Sequence, residues 1–249
     1  MLLDGQVAVI TGAASARGIG RAIARLFVEH GARVALLDRD GDGAAAAAAE
    51  LGREHSGYAC DVTSQEQVAA AFAALVTELG PPAVLVNNAG ITSPLRLGEV
   101  TRADYDAVMD VNVRGSFLCA QAIAPLLRAR GGGSIVCMSS VSAKRGGGIF
   151  GASVYSAAKA GVLGLTRALA RELAPDQIRV NAVAPGLVDT DIFGGKLSEE
   201  RRAELVQSIP LGRIAQPLDV ARACLFLASD LAAYITGEVL DVNGGSHID

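Results

Sequence analysis

Tyr155 and Lys159 stand four residues apart in Tyr155-Ser-Ala-Ala-Lys159, a spacing that puts a phenol and an ammonium on one face of a helix. A free tyrosine titrates near ~10 and exchanges protons poorly at neutral pH. A fixed positive charge beside it stabilises the phenolate and lowers that value. Bringing it to neutrality takes about 4 kcal/mol of such stabilisation. The pair is therefore a candidate proton-exchange unit. Tyr-x-x-x-Lys is also a common coincidence on helices, so its meaning depends on its surroundings.

Upstream, Gly12-Ala-Ala-Ser-Ala-Arg-Gly18-Ile-Gly20 lies between an apolar run and an amphipathic one. Glycines allow a tight turn and a close backbone approach to a pyrophosphate, whose charge a helix amino terminus favours. The glycine pattern alone is weak, but here it has the strand–turn–helix setting such a site needs. Asp38 ends the next strand, eighteen residues beyond Gly20. A carboxylate there can accept both hydroxyls of an adenosine ribose and repel a 2′-phosphate, which favours NAD over NADP. Arg17 and Arg39 pull the other way, because either can pair with a phosphate. Asn87-Asn-Ala-Gly90 closes a further strand. Asn112 falls inside a helical stretch, where asparagine is disfavoured without a local reason.

The frame for these residues is an alternation of buried strands and amphipathic helices. Strands are expected at Val7–Thr11, Arg33–Asp38, Gly57–Asp61, Ala83–Asn87, Gly133–Met138, Arg179–Ala184 and Glu238–Val242. Helices are expected at Ile19–His30, Ala44–Ala49, from a Ser64 cap to Leu79, across Thr101–Arg130, and at Tyr155–Leu173 before Pro175. This rhythm implies one doubly wound α/β domain, a seven-stranded, mostly parallel sheet with helices on both faces. Its ligand belongs at the carboxyl ends of the strands, where the strand order reverses. Residues 190–216 break the rhythm, with Phe193-Gly-Gly-Lys196 as a hinge and Ser198 capping a helix, and read as a lid.

Composition removes other classes. The chain has 249 residues, 51% hydrophobic, with a formal net charge of −4 and no basic run, which argues against nucleic acid. The four cysteines are widely spaced among apolar neighbours, the pattern of buried thiols in a reducing compartment. No Cys or His stands at metal-ligand spacing. No signal peptide and no span of ~20 apolar residues is read, so a cytoplasmic protein is expected.

Thr11-Gly12 with Gly18-x-Gly20, Asp61, Asn87-Asn-Ala-Gly90, Asn112, the serines near 140, Tyr155-x-x-x-Lys159 and Pro185-Gly186 follow one another as in the short-chain dehydrogenase/reductase family. The chain resembles that family over essentially its whole length. The resemblance implies that Tyr155 exchanges the proton with the substrate oxygen. Lys159 would hold the nicotinamide ribose and lower the tyrosine pKa, a serine would bind the same substrate oxygen, and Asn112 would place a relay water. Gly12, Ser15, Arg17, Gly18 and Ile19 would meet the phosphates, and Asp61 with Val62 the adenine. Asn88 and Gly90 would meet the adenosine-side ribose region, with Val188 and Thr190 on the carboxamide. Family members are commonly homotetramers, and the apolar Val162–Leu165 helix face and the Gly244-Gly245 tail fit that.

Two departures stand out. Five residues, not three, separate Gly12 from Gly18, which leaves open which of Ser15, Ala16 and Arg17 touches the cofactor. The catalytic serine is Ser142 by spacing to Tyr155 and Ser140 by its place at a strand end. Strand register fixes a side chain more firmly than loop length, so Ser140 is favoured. The implied activity is hydride transfer between NAD(H) and a secondary alcohol or ketone, small and soluble, such as a sugar, polyol, steroid or aliphatic alcohol. The pocket would use Ser142, residues 145–153, 91–97 and the lid, with Phe150, Ile192 and Phe193 as apolar walls. One alternative is an NADPH-dependent 3-oxoacyl-[acyl-carrier-protein] reductase, with Arg128 and Arg130 facing an acidic carrier but Asp176 where a basic residue is expected. The other is a catalytically silent dinucleotide sensor.

Overall fold

The structure, a computed structural model, describes residues 1–148, 151–191 and 198–248. Seven strands form one sheet: β1 (Val7–Thr11), β2 (Arg33–Asp38), β3 (Ser56–Ala59), β4 (Val84–Asn87), β5 (Gly133–Met138), β6 (Ile178–Pro185) and β7 (Val239–Val242). Their order is β3-β2-β1-β4-β5-β6-β7, and every pairing is parallel. The chain winds outward from β1 in one direction and from β4 in the other, so their carboxyl ends flank the switch point at which α/β sheets bind ligands.

Both sheet faces are covered, which is why the strands read as unbroken apolar runs. Ala8, Ile10, Val34, Leu36, Val84 and Val86 pack on one face with α1 (Ile19–Glu29), α2 (Gly41–Leu51) and, later in the chain, residues 217–228. Val7, Val9, Ala35, Leu37 and Leu85 point the other way, toward α3 (Gln65–Leu79) and two longer helices described next. Alternation with period two along each strand sends neighbours to opposite layers.

The expected 101–130 helix is three pieces. Thr101 and Asp104 cap each other reciprocally and start α4 (Arg102–Met109). A π-helical turn follows at Asp110–Arg114, and α5 runs from Gly115 to Ala129. A short α6 (Ser142–Arg145) follows β5, and α7 (Ser153–Leu173) starts two residues before Tyr155. Ser198 caps α8 (Glu199–Gln207) by accepting from the Arg201 amide, as expected. Like the short α6, a further helix has no counterpart among the sequence expectations: α9, Pro217–Ala228. Its start is nonetheless written in the chain, with Pro217 in the first turn and a reciprocal bond between Gln216 and Asp219.

The 193–196 hinge, Phe150, Ile192 and Phe193 lie outside the described residues. Val162 and Leu163 do not form an outward apolar face: both are buried in this chain's own core.

Candidate active site

Two bonds sew the carboxyl end of β5 to α7, and a third ties it to β6. Lys159 Nζ donates to the Met138 carbonyl at 2.8 Å, and Ser139 Oγ donates to the Lys159 carbonyl at 2.8 Å. The Ser139 amide continues the sheet ladder by donating to the Val183 carbonyl at 2.8 Å. This places Ser140 beside Tyr155 in one cavity, where its hydroxyl favours the phenolate. Beneath the Tyr155 ring lies Gly151, where any Cβ would collide with the ring carbons. The Ser142 amide donates to Ser140 Oγ at 3.1 Å, so Ser142 supports the serine that meets the tyrosine.

Lys159 is only 4% exposed. Burial, opposed weakly by Cys137, pulls its pKa down to about 8. Its ammonium lies 5.8 Å from the Tyr155 ring centroid. Burial pushes the Tyr155 phenol up, and the Ser140 hydroxyl offsets part of that rise.

Asn112 sits in the π-helical turn, fully buried. Its Nδ2 donates to the Ile91 and Val108 carbonyls, at 2.9 Å each, while Oδ1 has no partner. A Cβ added at Gly90 would stand 2.7 Å from Asn112 Oδ1 and 3.2 Å from Lys159 Nζ. The orphaned acceptor and the buried ammonium thus border the same point. A buried polar atom without a partner is uncommon in native proteins, and it marks where a water or ligand belongs.

A groove of about 530 Å³ runs along the switch point and is lined by Gly12, Ser15, Gly18, Ile19, Asp38, Arg39, Asp61, Val62, Asn88, Gly90 and Thr190. It meets a second cavity of about 230 Å³ holding Asn112, Ser140, Ser142, Tyr155, Lys159 and Val188, with Ile19, Asn88, Gly90, Ile91 and Thr190 shared between the two. At Gly12 (φ +68°) a Cβ would come within 2.8 Å of Ala89 Cα, so the turn there requires glycine. Asn88 braces that turn, donating to the Thr11 and Gly12 carbonyls at 2.9 and 2.8 Å. The first turn of α1 has no side-chain cap and no acidic residue, leaving its amides open to an anion. Glycine turn, uncapped helix and orphaned Asn112 acceptor together fit a dinucleotide along the groove.

Asp38 holds its place through two backbone donors, the Ala14 amide at 3.0 Å and the Asp40 amide at 3.1 Å. Asp61 turns back on its own loop, where Thr63 bonds hold its carboxyl below the usual range. Arg17 turns to Asp189 at 3.2 Å and Asp191 at 3.8 Å, and Ser15 Oγ donates to Asp191 at 2.7 Å. Arg17 is therefore engaged by carboxylates. Asp189 also binds Arg202 of α8 at 2.8 Å, and Arg202 foremost, with Arg17, keeps its carboxyl low.

The family model described as enoyl-(acyl carrier protein) reductase matches residues 12–247. An uncharacterized short-chain type dehydrogenase/reductase, y4mP of Sinorhizobium fredii, is 55% identical, with 98% of each chain covered. This chain belongs to the short-chain dehydrogenase/reductase family. Two other relatives carry more specific names. The 3-oxoacyl-[acyl-carrier-protein] reductase FabG of Vibrio cholerae is 41% identical over all of both chains. D-threitol dehydrogenase of Mycolicibacterium smegmatis is 40% identical, covering 98% of this chain and 93% of its own. A crystal structure of a short-chain type dehydrogenase/reductase from Mycobacterium marinum superposes with a TM-score of 0.92 at 36% identity, covering 99% and 97% of the two chains.

As in any short-chain dehydrogenase/reductase the site combines distant segments, and some of its parts left no trace in sequence. The Met138 carbonyl that fixes Lys159 is backbone, so no side-chain pattern announces it. Asp189 and Asp191 follow Pro185-Gly186 but meet Arg17 across more than 170 positions, a pairing that only the fold creates. Leu205, Ser208 and Ile209, at the end of α8 and just beyond it, line the smaller cavity. Among the described residues no group of His, Cys, Asp and Glu could hold a metal ion, and no helix is long and apolar enough to cross a membrane.

Proposed function

We propose that this chain is an NAD(H)-dependent oxidoreductase that moves a hydride between the nicotinamide and a secondary alcohol or ketone. The pairing of Tyr155 with Ser140 and Lys159, inside a cavity that opens onto the dinucleotide groove, carries the assignment. When bound, NAD supplies the hydride acceptor. Gly12, Ser15, Gly18 and Ile19 would hold its phosphates, with Asp61, Val62, Asn88 and Gly90 along its adenosine half. Val188, Thr190 and Lys159 would hold the nicotinamide half.

In oxidation Tyr155 takes the hydroxyl proton. The Ser140 hydroxyl donates to the substrate oxygen as charge develops there, a bond that strengthens toward the transition state. Lys159 favours the phenolate, and the free Asn112 Oδ1 beside it offers a seat for a relay water. We assign catalysis to Ser140, because it is the serine whose hydroxyl bears on the Tyr155 phenol. Ser140→Ala is expected to lower kcat about 100-fold with little change in NAD affinity, measured by initial rates. Equal loss in Ser142→Ala would overturn that choice.

Asp38 sets the cofactor. Replacing it with Asn removes the carboxylate while keeping shape, and kcat/KM with NAD should fall about 10- to 100-fold while that with NADP rises. Rates for an alcohol panel with both cofactors test this; NADP preference in the wild type would sink it. The engagement of Arg17 by Asp189 and Asp191 supports NAD, since that guanidinium is spent before any 2′-phosphate arrives.

Relatives named as 3-oxoacyl-[acyl-carrier-protein] reductase support a second reading, with NADPH and an acidic carrier protein. Two observations weigh against it. Asp38 faces the groove, and Asp176 clamps Arg128 with bonds of 2.9 and 2.7 Å, occupying a cation an acidic partner would need. The chain acts as one catalytic domain with residues 190–216 as lid, in the cytoplasm, as a homotetramer. The silent-sensor alternative fails to account for an intact Ser140, Tyr155, Lys159 and Asn112 set.

A further inference from the structure

The charges around the smaller cavity are one-sided. Lys159 and Arg145 are its only charged lining residues, and no Asp or Glu borders it among the described residues. Lys159 is committed to the Met138 carbonyl and to the ground beneath Tyr155. Arg145 has no such commitment. It closes α6, five residues after Ser140, and is exposed at the cavity rim. Its Nε donates to the Gly147 carbonyl at 3.3 Å, which holds the stem and leaves the outer nitrogens to face the opening. No carboxylate pairs with it among the described residues. Its neighbour Lys144 points elsewhere, to Asp241 of β7 at 2.6 Å.

Ser142 converges on the same place. A Cβ added at Gly148 would stand 3.3 Å from Ser142 Oγ and 3.6 Å from Arg145 Nη2, so one hydroxyl and one guanidinium border a single open point. The glycine keeps that point clear. A planar guanidinium with a hydroxyl beside it is a fitting receptor for a carboxylate.

We infer that Arg145 and Ser142 form a carboxylate anchor, and that the substrate is a small hydroxycarboxylate or the matching keto acid. This rests on the dehydrogenase reading and names the substrate of that same site. Size supports it: 230 Å³ lies below the ~300 Å³ at which pockets begin to take drug-sized ligands, and the nicotinamide end takes a share. Spacing supports it too. Ser142 bonds Ser140 through its own amide, so a residue of the anchor sits directly beside the serine at the reacting oxygen, which suits a short substrate. The departure from usual serine spacing then has a use: Ser140 faces the reacting oxygen, and Ser142 faces the far end of the molecule.

The test compares lactate, 3-hydroxybutyrate and 4-hydroxypentanoate with their primary amides, by initial rates with NAD. The wild type is expected to prefer at least one acid over its amide. Arg145→Met should erase that preference by about 100-fold, through KM rather than kcat, with part restored in Arg145→Lys. Ser142→Ala should reduce it by about 10-fold. A wild type that treats acid and amide alike, or a preference that survives in Arg145→Met, overturns the anchor. Binding gives a readout without turnover. Saturation-transfer NMR on the protein alone should detect 3-hydroxybutyrate far more strongly than 3-hydroxybutyramide, and lose that difference in Arg145→Met. Equal signals overturn the anchor. Failure of the dehydrogenase reading looks different: nothing in the series is oxidised with either cofactor, while the charge-dependent binding stands.

Discussion

Tyr155→Phe is expected to lower kcat/KM for alcohol oxidation by roughly 10²- to 10⁴-fold, the range for loss of a positioned acid or base. NAD affinity should stay within about twofold, since a phenyl ring keeps the packing against Gly151 and removes only one oxygen. That oxygen is the group on which the Ser140 hydroxyl bears. Phenylalanine cannot exchange a proton, so the loss should appear in both directions of the reaction. The pH profile adds a second check. Burial pushes the Tyr155 phenol up in the protein alone, so the proton-bearing acid dominates at neutral pH. Ketone reduction needs that acid and should decline as pH rises, whereas alcohol oxidation needs the phenolate and should increase. Fluorescence titration with NADH and steady-state rates across pH decide. Activity within tenfold of wild type in Tyr155→Phe would remove the residue from the chemistry.

The sheet could be read from sequence because burial on both faces makes its strands continuous apolar runs, and β1, β2, β4 and β5 fall within a residue of expectation. β3 was the weakest pattern and lies two residues earlier than expected, at Ser56–Ala59. Asn112 was conspicuous as an asparagine where a helix should continue. The π-helical turn explains it: widening the helix there lets Nδ2 reach the Ile91 and Val108 carbonyls. The site was legible wherever side-chain type carried the meaning, as with Tyr155, Lys159 and the glycine turn. It was illegible where meaning lay in backbone or in distant pairing. The Met138 carbonyl has no residue signature, and the link from Arg17 to Asp189 exists only once β1 and β6 lie in one sheet with β4 and β5 between them. Between the two serines, spacing pointed to Ser142 and strand register to Ser140, because the loop before Tyr155 is longer than the family's spacing allows for.

Lys159→Met should cost about 100-fold or more in turnover, yet the variant should lose little stability at neutral pH. A buried ammonium is expensive to hold in an apolar interior. Burial pulls its pKa in the folded chain down to about 8, against 10.5 as the ordinary value. Below about pH 8 both folded and unfolded chains carry the proton, and the full cost of burying it is present. Between about 8 and 10.5 the folded chain has released a proton that the unfolded chain still holds. Stability contributed at this position must therefore rise with pH across that window, by about 3 kcal/mol in all. Urea unfolding of wild type and Lys159→Met without cofactor, from pH 7 to 10 at one protein concentration, isolates the effect as their difference. Wild type should gain on the variant as pH increases; a flat or falling difference would mean that burial does not lower the Lys159 pKa in the folded state. A cation buried at such expense, 5.8 Å from the centre of the Tyr155 ring, is expected to show its worth in turnover and not in the stability of the fold.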